Sequence, residues 1–293
     1  MVSEEILKKV RKVEIISKKI SNETFAGEYH SAFKGRGMEF AEVREYQIGD
    51  DIRFIDWNVS SRMGKLFVKQ FTEERELSLI LAIDLSASLN FFSELKSKKE
   101  ITAELSAIIA FTAMLNKDKV GLLIFTDKIE LYVPPKKGKT HLLRIIREIL
   151  NFSPKGNGTS INGGLTYLSK ILKKKSIIFL LSDFIDTDFT RSIKIISKKH
   201  DLVAINISDR RELIIPERGL FLLRDIETDE DFYIDFSSIS DRRYFANILK
   251  KNDSELKTLL KKNKVDIIEI SGDDDYEKPL YNFFLKRRKQ LSR

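Results

Sequence analysis

The chain contains no cysteine. Disulfides, thiolate metal centres and cysteine nucleophiles are therefore excluded, and the composition fits a reducing compartment. The three histidines, His30, His141 and His200, are scattered without metal-ligand spacing and are expected on surfaces or at helix ends. No apolar stretch approaches the roughly 20 residues of a membrane helix. The opening "MVSEEILKKVRKVEIISKKI" alternates charge with apolar residues and never offers the clean apolar core of a signal peptide. The expected location is cytoplasmic. Two catalytic signatures are also missing. "GNGTSINGG" is not followed by Gly-Lys-Ser/Thr, so no P-loop is present, and no Gly-x-Ser-x-Gly hydrolase elbow occurs.

What is present suits a well-packed globular protein. Hydrophobic residues make up 42% of the 293, including 20 Phe, enough for a sizeable core. The net charge of +8, from 52 Lys and Arg against 44 Asp and Glu, is spread along the chain. A nucleic-acid protein would concentrate it on one face, so nucleic acid is not an expected partner. The densest basic run, "FFLKRRKQLSR", reads as a solvated helix end or as a contact for an anionic surface.

Strands are expected at 77–83, 119–125, 129–133, 176–182, 201–207 and 265–270. Helices are expected at 97–116, 139–151, 161–174, 187–199, 239–262 and 279–290, with a further amphipathic helix at 4–20 through Ile6, Val10, Val13 and Ile20. Alternation of this kind indicates α/β architecture with a mostly parallel sheet. "VGLLIFT" and "IELYV" are separated by Asp127 and Lys128 alone, too few residues for a crossover, so they form an antiparallel hairpin at a sheet edge. Residues 24–60 read as Gly-dotted, polar and irregular, with Gly35 and Gly37 serving turns. In "GDDIRFIDW" the expected roles are structural: Asp50, Asp51 and Asp56 pair with Arg44 or Arg53, and Trp57 fills a core gap. Residues 209–237 read as an insertion carrying a hairpin from "LFLLRD" to "FYIDF".

The chemistry concentrates at strand ends. In "LILAIDLSASLN" an apolar run stops at Asp84, with Ser86 and Ser88 following at alternate positions. "NGTSINGG" precedes a helix and "IIFLLSDF" ends a second buried strand on Asp183. In open α/β sheets such carboxyl ends line the ligand crevice. Two carboxylates with several hydroxyls, and no His or Cys, make a hard-oxygen donor set suited to Mg2+ or Mn2+. The structural alternative is that Asp84 and the serines cap the next helix.

"DLSAS", Thr159 in "GTS" and Asp183 in "LSDF" together resemble the metal-ion-dependent adhesion site of von Willebrand factor A-like domains. The resemblance implies hydroxyl ligands at Ser86, Ser88 and Thr159, with Asp84 and Asp183 acting directly or through water, and a partner carboxylate completing the coordination. "GRGMEFAEVREYQIGDDIRFIDWNVSSRMGKLFVKQF" (35–71) resembles the signature of bacterial proteins of this class associated with MoxR-type AAA+ ATPases, the DUF58 family of unknown function. "SGDDDYEKPLYNFFLKRR" resembles that family's ending. Many of its members carry membrane helices ahead of this region. This chain shows none, so a form without a membrane span is expected.

The expected fold is thus α/β: a von Willebrand factor A-like doubly wound mixed sheet over 71–293, mostly parallel with one antiparallel edge strand, behind a family-specific segment at 1–70. The expected function is non-catalytic binding, through Mg2+, of a MoxR-type AAA+ ATPase or its client. The alternative is a Mg2+-dependent phosphatase or phosphotransferase with Asp84 as nucleophile. Ser86 weighs against it, since a general acid belongs at that position in Asp-x-Asp phosphatases.

Overall fold

The computed structural model describes residues 23–33, 38–73, 77–86, 97–156, 158–186, 188–208, 219–224, 231–271 and 277–291. The helix expected at 4–20, together with Gly35, Gly37 and Ser88, lies outside them. The described elements begin with α1 (Glu23–Phe33), β1 (Met38–Glu45), a 3-10 turn (Ile52–Phe54), α2 (Trp57–Met63) and β2 (Phe67–Glu73). It continues through β3 (Ser78–Asp84), α3 (Lys98–Leu115), β4 (Lys119–Phe125), β5 (Ile129–Lys136), α4 (Lys139–Asn151) and α5 (Ile161–Ile171). Then come β6 (Ile177–Ser182), α6 (Thr190–Lys199), β7 (Asp201–Ser208), β8 (Leu220–Arg224), β9 (Asp231–Asp235), α7 (Ile239–Lys262), β10 (Asp266–Ser271) and α8 (Glu277–Leu291).

The central sheet has the order β10-β7-β6-β3-β4-β5, parallel throughout except for β5, which runs antiparallel to β4 at one edge. The strand ranges follow the apolar runs of the sequence, because strands covered on both faces are hydrophobic at every position. β3 is the clearest case, with Leu79 to Ile83 all fully buried. Alternate side chains feed two cores. Leu79, Leu81 and Ile83 join α1, α3, α4 and α8 on one face, and Ile80 and Ala82 join α5, α6 and α7 on the other. β5 continues to Lys136 through Pro134 and Pro135, beyond the expected 133. An edge strand tolerates proline because its outer side needs no ladder donor. Gly121 faces it closely: a Cβ there would lie 3.0 Å from both Pro135 N and Val133 O.

The segment 24–60 is more ordered than its polar composition suggests. In α1, Phe25, Tyr29 and Ala32 form one buried helical face. Phe25 and Tyr29 meet the Phe284 ring of α8 edge-on at 5.2 and 5.7 Å, and Phe33 meets Phe179 of β6 at 5.8 Å. A helix of this length containing Gly27 draws its stability from such packing and little from propensity. β1 pairs antiparallel with β2, Glu45 opposite Phe67, with an irregularity between Phe40 and Glu42. The connection is held as the charge pattern implies. Arg44 donates two bonds of 2.7 Å to Asp50, and Arg53 pairs with Asp51 at 2.6 Å. Asp56 departs from that pattern: it caps α2 through Asn58 N and Val59 N and approaches Lys69 at 3.6 Å. That cap turns Trp57, the first residue of α2, outward. Trp57 is 67% exposed and fills no core gap.

The hairpin expected within 209–237 is present as β8 and β9, paired antiparallel. The C-terminal basic run is partly engaged: Arg287 pairs with Asp201 and lies 4.5 Å over the Phe33 ring, and Arg288 reaches Glu28 at 2.5 Å. All three histidines stand at helix ends, but His200, closing α6, is buried, which pushes its imidazole pKa down. Among the described residues, no helix is long and apolar enough to cross a membrane.

Candidate functional site

The chain moves from β3 outward to β4 and β5, then returns to place β6 on the other side of β3. Strand order therefore reverses between β3 and β6, where open α/β sheets hold their ligands. Asp84 is the last residue of β3 and Asp183 is the first after β6. The register Ile83 to Leu181 sets Asp84 beside Ser182, and the two bond directly: Ser182 Oγ donates to Asp84 Oδ2 at 2.7 Å. Asp84 Oδ1 accepts from Ser86 N at 3.0 Å. Both Asp84 and Ser86 are fully buried.

Burial pushes the Asp84 carboxyl up to about 7. The hydrogen bond from Ser182 opposes the rise, the negative charge of Asp183 adds to it, and the bonds from Ser86 oppose it again. Asp183 is held differently. Its Oδ2 faces Lys98 Nζ at 3.4 Å, with both side chains nearly excluded from solvent, and its Oδ1 is buried without a hydrogen-bond partner. Ser182 Oγ also accepts from Phe184 N at 3.0 Å, and Phe184 takes a left-handed conformation with φ of 56°.

The next described helix, α3, is capped by Ser97, which accepts from Glu100 N while Glu100 reaches back to Ser97 N, so Asp84 does not cap α3. The loops around the crevice are tied to one another. Ser160 N donates to Thr126 O beyond β4, Ser160 Oγ caps α5, and Ile161 N donates to Asp186 Oδ2 beyond β6. Thr159 directly precedes that cap and so lies at the same carboxyl end of the sheet. Of the five candidate residues, Asp84, Ser86 and Asp183 converge at the switch point. Thr159 lies at the same end, and Ser88 is outside the described residues.

Two residues escape the sequence reading. Ser182 stands beside Asp183 in "LLSDF", and the β3–β6 register would have singled it out. Lys98 gives no signal, being one cation in the run "LKSKKE". The donors suit a hard divalent cation: they are carboxylates and hydroxyls, and Asp183 Oδ1 is a buried oxygen still lacking a partner. Among the described residues, no group of three or more His, Cys, Asp or Glu gathers where it could hold a metal ion, and the crevice offers two aspartates with hydroxyls.

The doubly wound mixed sheet with one antiparallel edge strand has the architecture of a von Willebrand factor A-like fold. The chain belongs to the DUF58 family, described as "Protein of unknown function DUF58", whose model matches residues 42–255. The uncharacterized protein Rv1480 of Mycobacterium tuberculosis is 26% identical over 285 residues, covering 96% of this chain and 89% of that protein. The crystal structure of the conserved hypothetical protein BatB from Bacteroides thetaiotaomicron matches with a TM-score of 0.50 at 14% identity, covering 73% of this chain and 99% of that one. An aerotolerance-related membrane protein from Bacteroides fragilis matches with a TM-score of 0.50 at 12% identity, covering the same shares. At these identities the structural likeness concerns the fold alone.

Proposed function

We propose that this protein is a non-catalytic, metal-dependent protein-binding module. Asp84, Ser86, Ser88, Thr159 and Asp183 would hold Mg2+ or Mn2+ at the β3–β6 crevice. The observation that carries this reading is the presence at the switch point of two aspartates with buried side chains, one with an oxygen that no hydrogen bond satisfies. A bound divalent cation would supply an electrophilic position for a carboxylate of the partner. The chain's own residues position the donors. Ser182 and the Ser86 amide hold the Asp84 carboxylate, and Asp183 follows Ser182 at the end of β6. A nucleophilic role for Asp84 is disfavoured, because both its oxygens are held by hydrogen bonds and Ser86 supplies no general acid.

The partner we assign is a MoxR-type AAA+ ATPase or its client. Support comes from the likeness of residues 35–71 to the signature of ATPase-associated proteins. The test is affinity capture with wild type and Asp84→Ala, each with Mg2+ and with chelator, followed by identification of the bound proteins. The reading expects an ATPase of this class, or its client, retained by wild type with Mg2+ and lost in the other three conditions. Equal retention in all four would overturn metal-bridged binding. Phosphate-ester hydrolysis abolished by Asp84→Asn would overturn the non-catalytic assignment.

A further inference from the structure

Lys98 is placed where a cation is costly. It opens α3, whose dipole presents positive charge at that end, and its side chain is 1% exposed. Asp183 offsets that cost, but the contact is loose. The Lys98 Nζ to Asp183 Oδ2 distance of 3.4 Å exceeds the roughly 2.7–2.9 Å of a strong charge-assisted bond. It also leaves Asp183 Oδ1 without a partner. A buried ion pair contributes to stability only when its geometry is good and its remaining oxygens are satisfied. The Lys98–Asp183 contact is long and leaves one Asp183 oxygen open, which leaves room for a better-matched cation.

The charges at the switch point suggest another role. Asp84 and Asp183 can balance one divalent cation, and an ammonium beside the same carboxylate would then be repelled. The lysine stem is four carbons long and flexible. It leaves the first turn of α3, where the following residues Lys99 and Glu100 are partly exposed. We infer that Lys98 is a tethered counter-ion that neutralises Asp183 while the site is free of metal and is displaced when a divalent cation binds. Loading is then an exchange of one cation for another. Lys98 lowers the affinity for metal, stabilises the metal-free state, and couples occupancy of the crevice to the first turn of α3. This inference rests on the metal-site reading above.

The test uses the full chain as wild type, Lys98→Met and Lys98→Gln. Met keeps the length of the side chain, and Gln keeps a hydrogen-bond donor should the apolar variant fold poorly. Mn2+ is titrated into each protein, with free Mn2+ read by electron paramagnetic resonance, and the chelated proteins are melted in parallel. The expected result is Mn2+ binding at least tenfold tighter in a folded variant than in wild type, with the chelated variant melting lower than chelated wild type. Binding by the variant alone would give the same support. Equal or weaker Mn2+ binding in the variants, with wild type binding, would overturn the counter-ion role and leave the metal site standing. Absence of Mn2+ binding in all three proteins would overturn the metal site and this inference together.

Discussion

Ser182 at the end of β6 donates its hydroxyl to the buried carboxylate of Asp84 at the end of β3, across 98 residues of sequence. This bond joins the two strands at the point where the sheet order reverses, and it holds Asp84 while the Ser86 amide takes the other oxygen. Ser182→Ala leaves that oxygen buried without its donor. The expected loss is about 1–3 kcal/mol of stability, measured by urea unfolding. The same substitution raises the Asp84 carboxyl further above 7, since the serine bond lowers it. Unchanged stability would show that the bond holds nothing together.

The raised Asp84 carboxyl makes the metal-free protein sensitive to pH in a defined direction. Folding takes this group from an ordinary 3.8 to about 7, so the folded state holds a proton that the unfolded state releases. The contribution is fully present below about pH 4 and is lost as pH rises through 7, on the order of 4 kcal/mol in all. Chelated wild type should therefore lose more stability between pH 5 and 8 than chelated Asp84→Asn, which cannot ionise there. Under the proposed metal-site reading, Mg2+ acts in the opposite direction. Cation binding needs the deprotonated carboxylate, so the stabilisation gained from Mg2+ should grow as pH passes 7. Parallel pH profiles for the two chelated proteins would refute the assignment.

Trp57 offers a check on the conformation around α2, because it is the single tryptophan of the chain. Its exposed position at the start of α2 predicts solvent-like fluorescence that iodide quenches freely. Trp57→Ser should shift stability by no more than about 0.5 kcal/mol. A blue-shifted, protected emission would mean that this side chain is covered in solution.

The central sheet was largely legible in the sequence because its strands are covered on both faces, so burial writes continuous apolar runs such as Leu79 to Ile83. The same logic located Asp84 and Asp183, since a carboxylate that interrupts such a run falls at a strand end. Other elements depend on partners distant in the chain. α1 is an eleven-residue helix whose buried face meets Phe284 of α8, and nothing local announces that contact. β1 carries Glu39, Glu42 and Glu45 and reads as polar loop until β2 pairs with it. Trp57 reads as a core residue from its chemistry, while its outward direction comes from the Asp56 cap. Lys98 is the least legible of all. Its contact with Asp183 depends on where α3 packs, and its neighbours Lys99 and Lys96 look alike in sequence.

Anomalous diffraction from crystals of the protein soaked in Mn2+ tests the account most directly. The account predicts one strong peak at the β3–β6 crevice, in contact with Asp183 and bounded by Asp84, Ser86, Ser88 and Thr159, with the Lys98 head group moved away from Asp183. A crevice without a peak, with Lys98 still resting on Asp183 at saturating Mn2+, would contradict it.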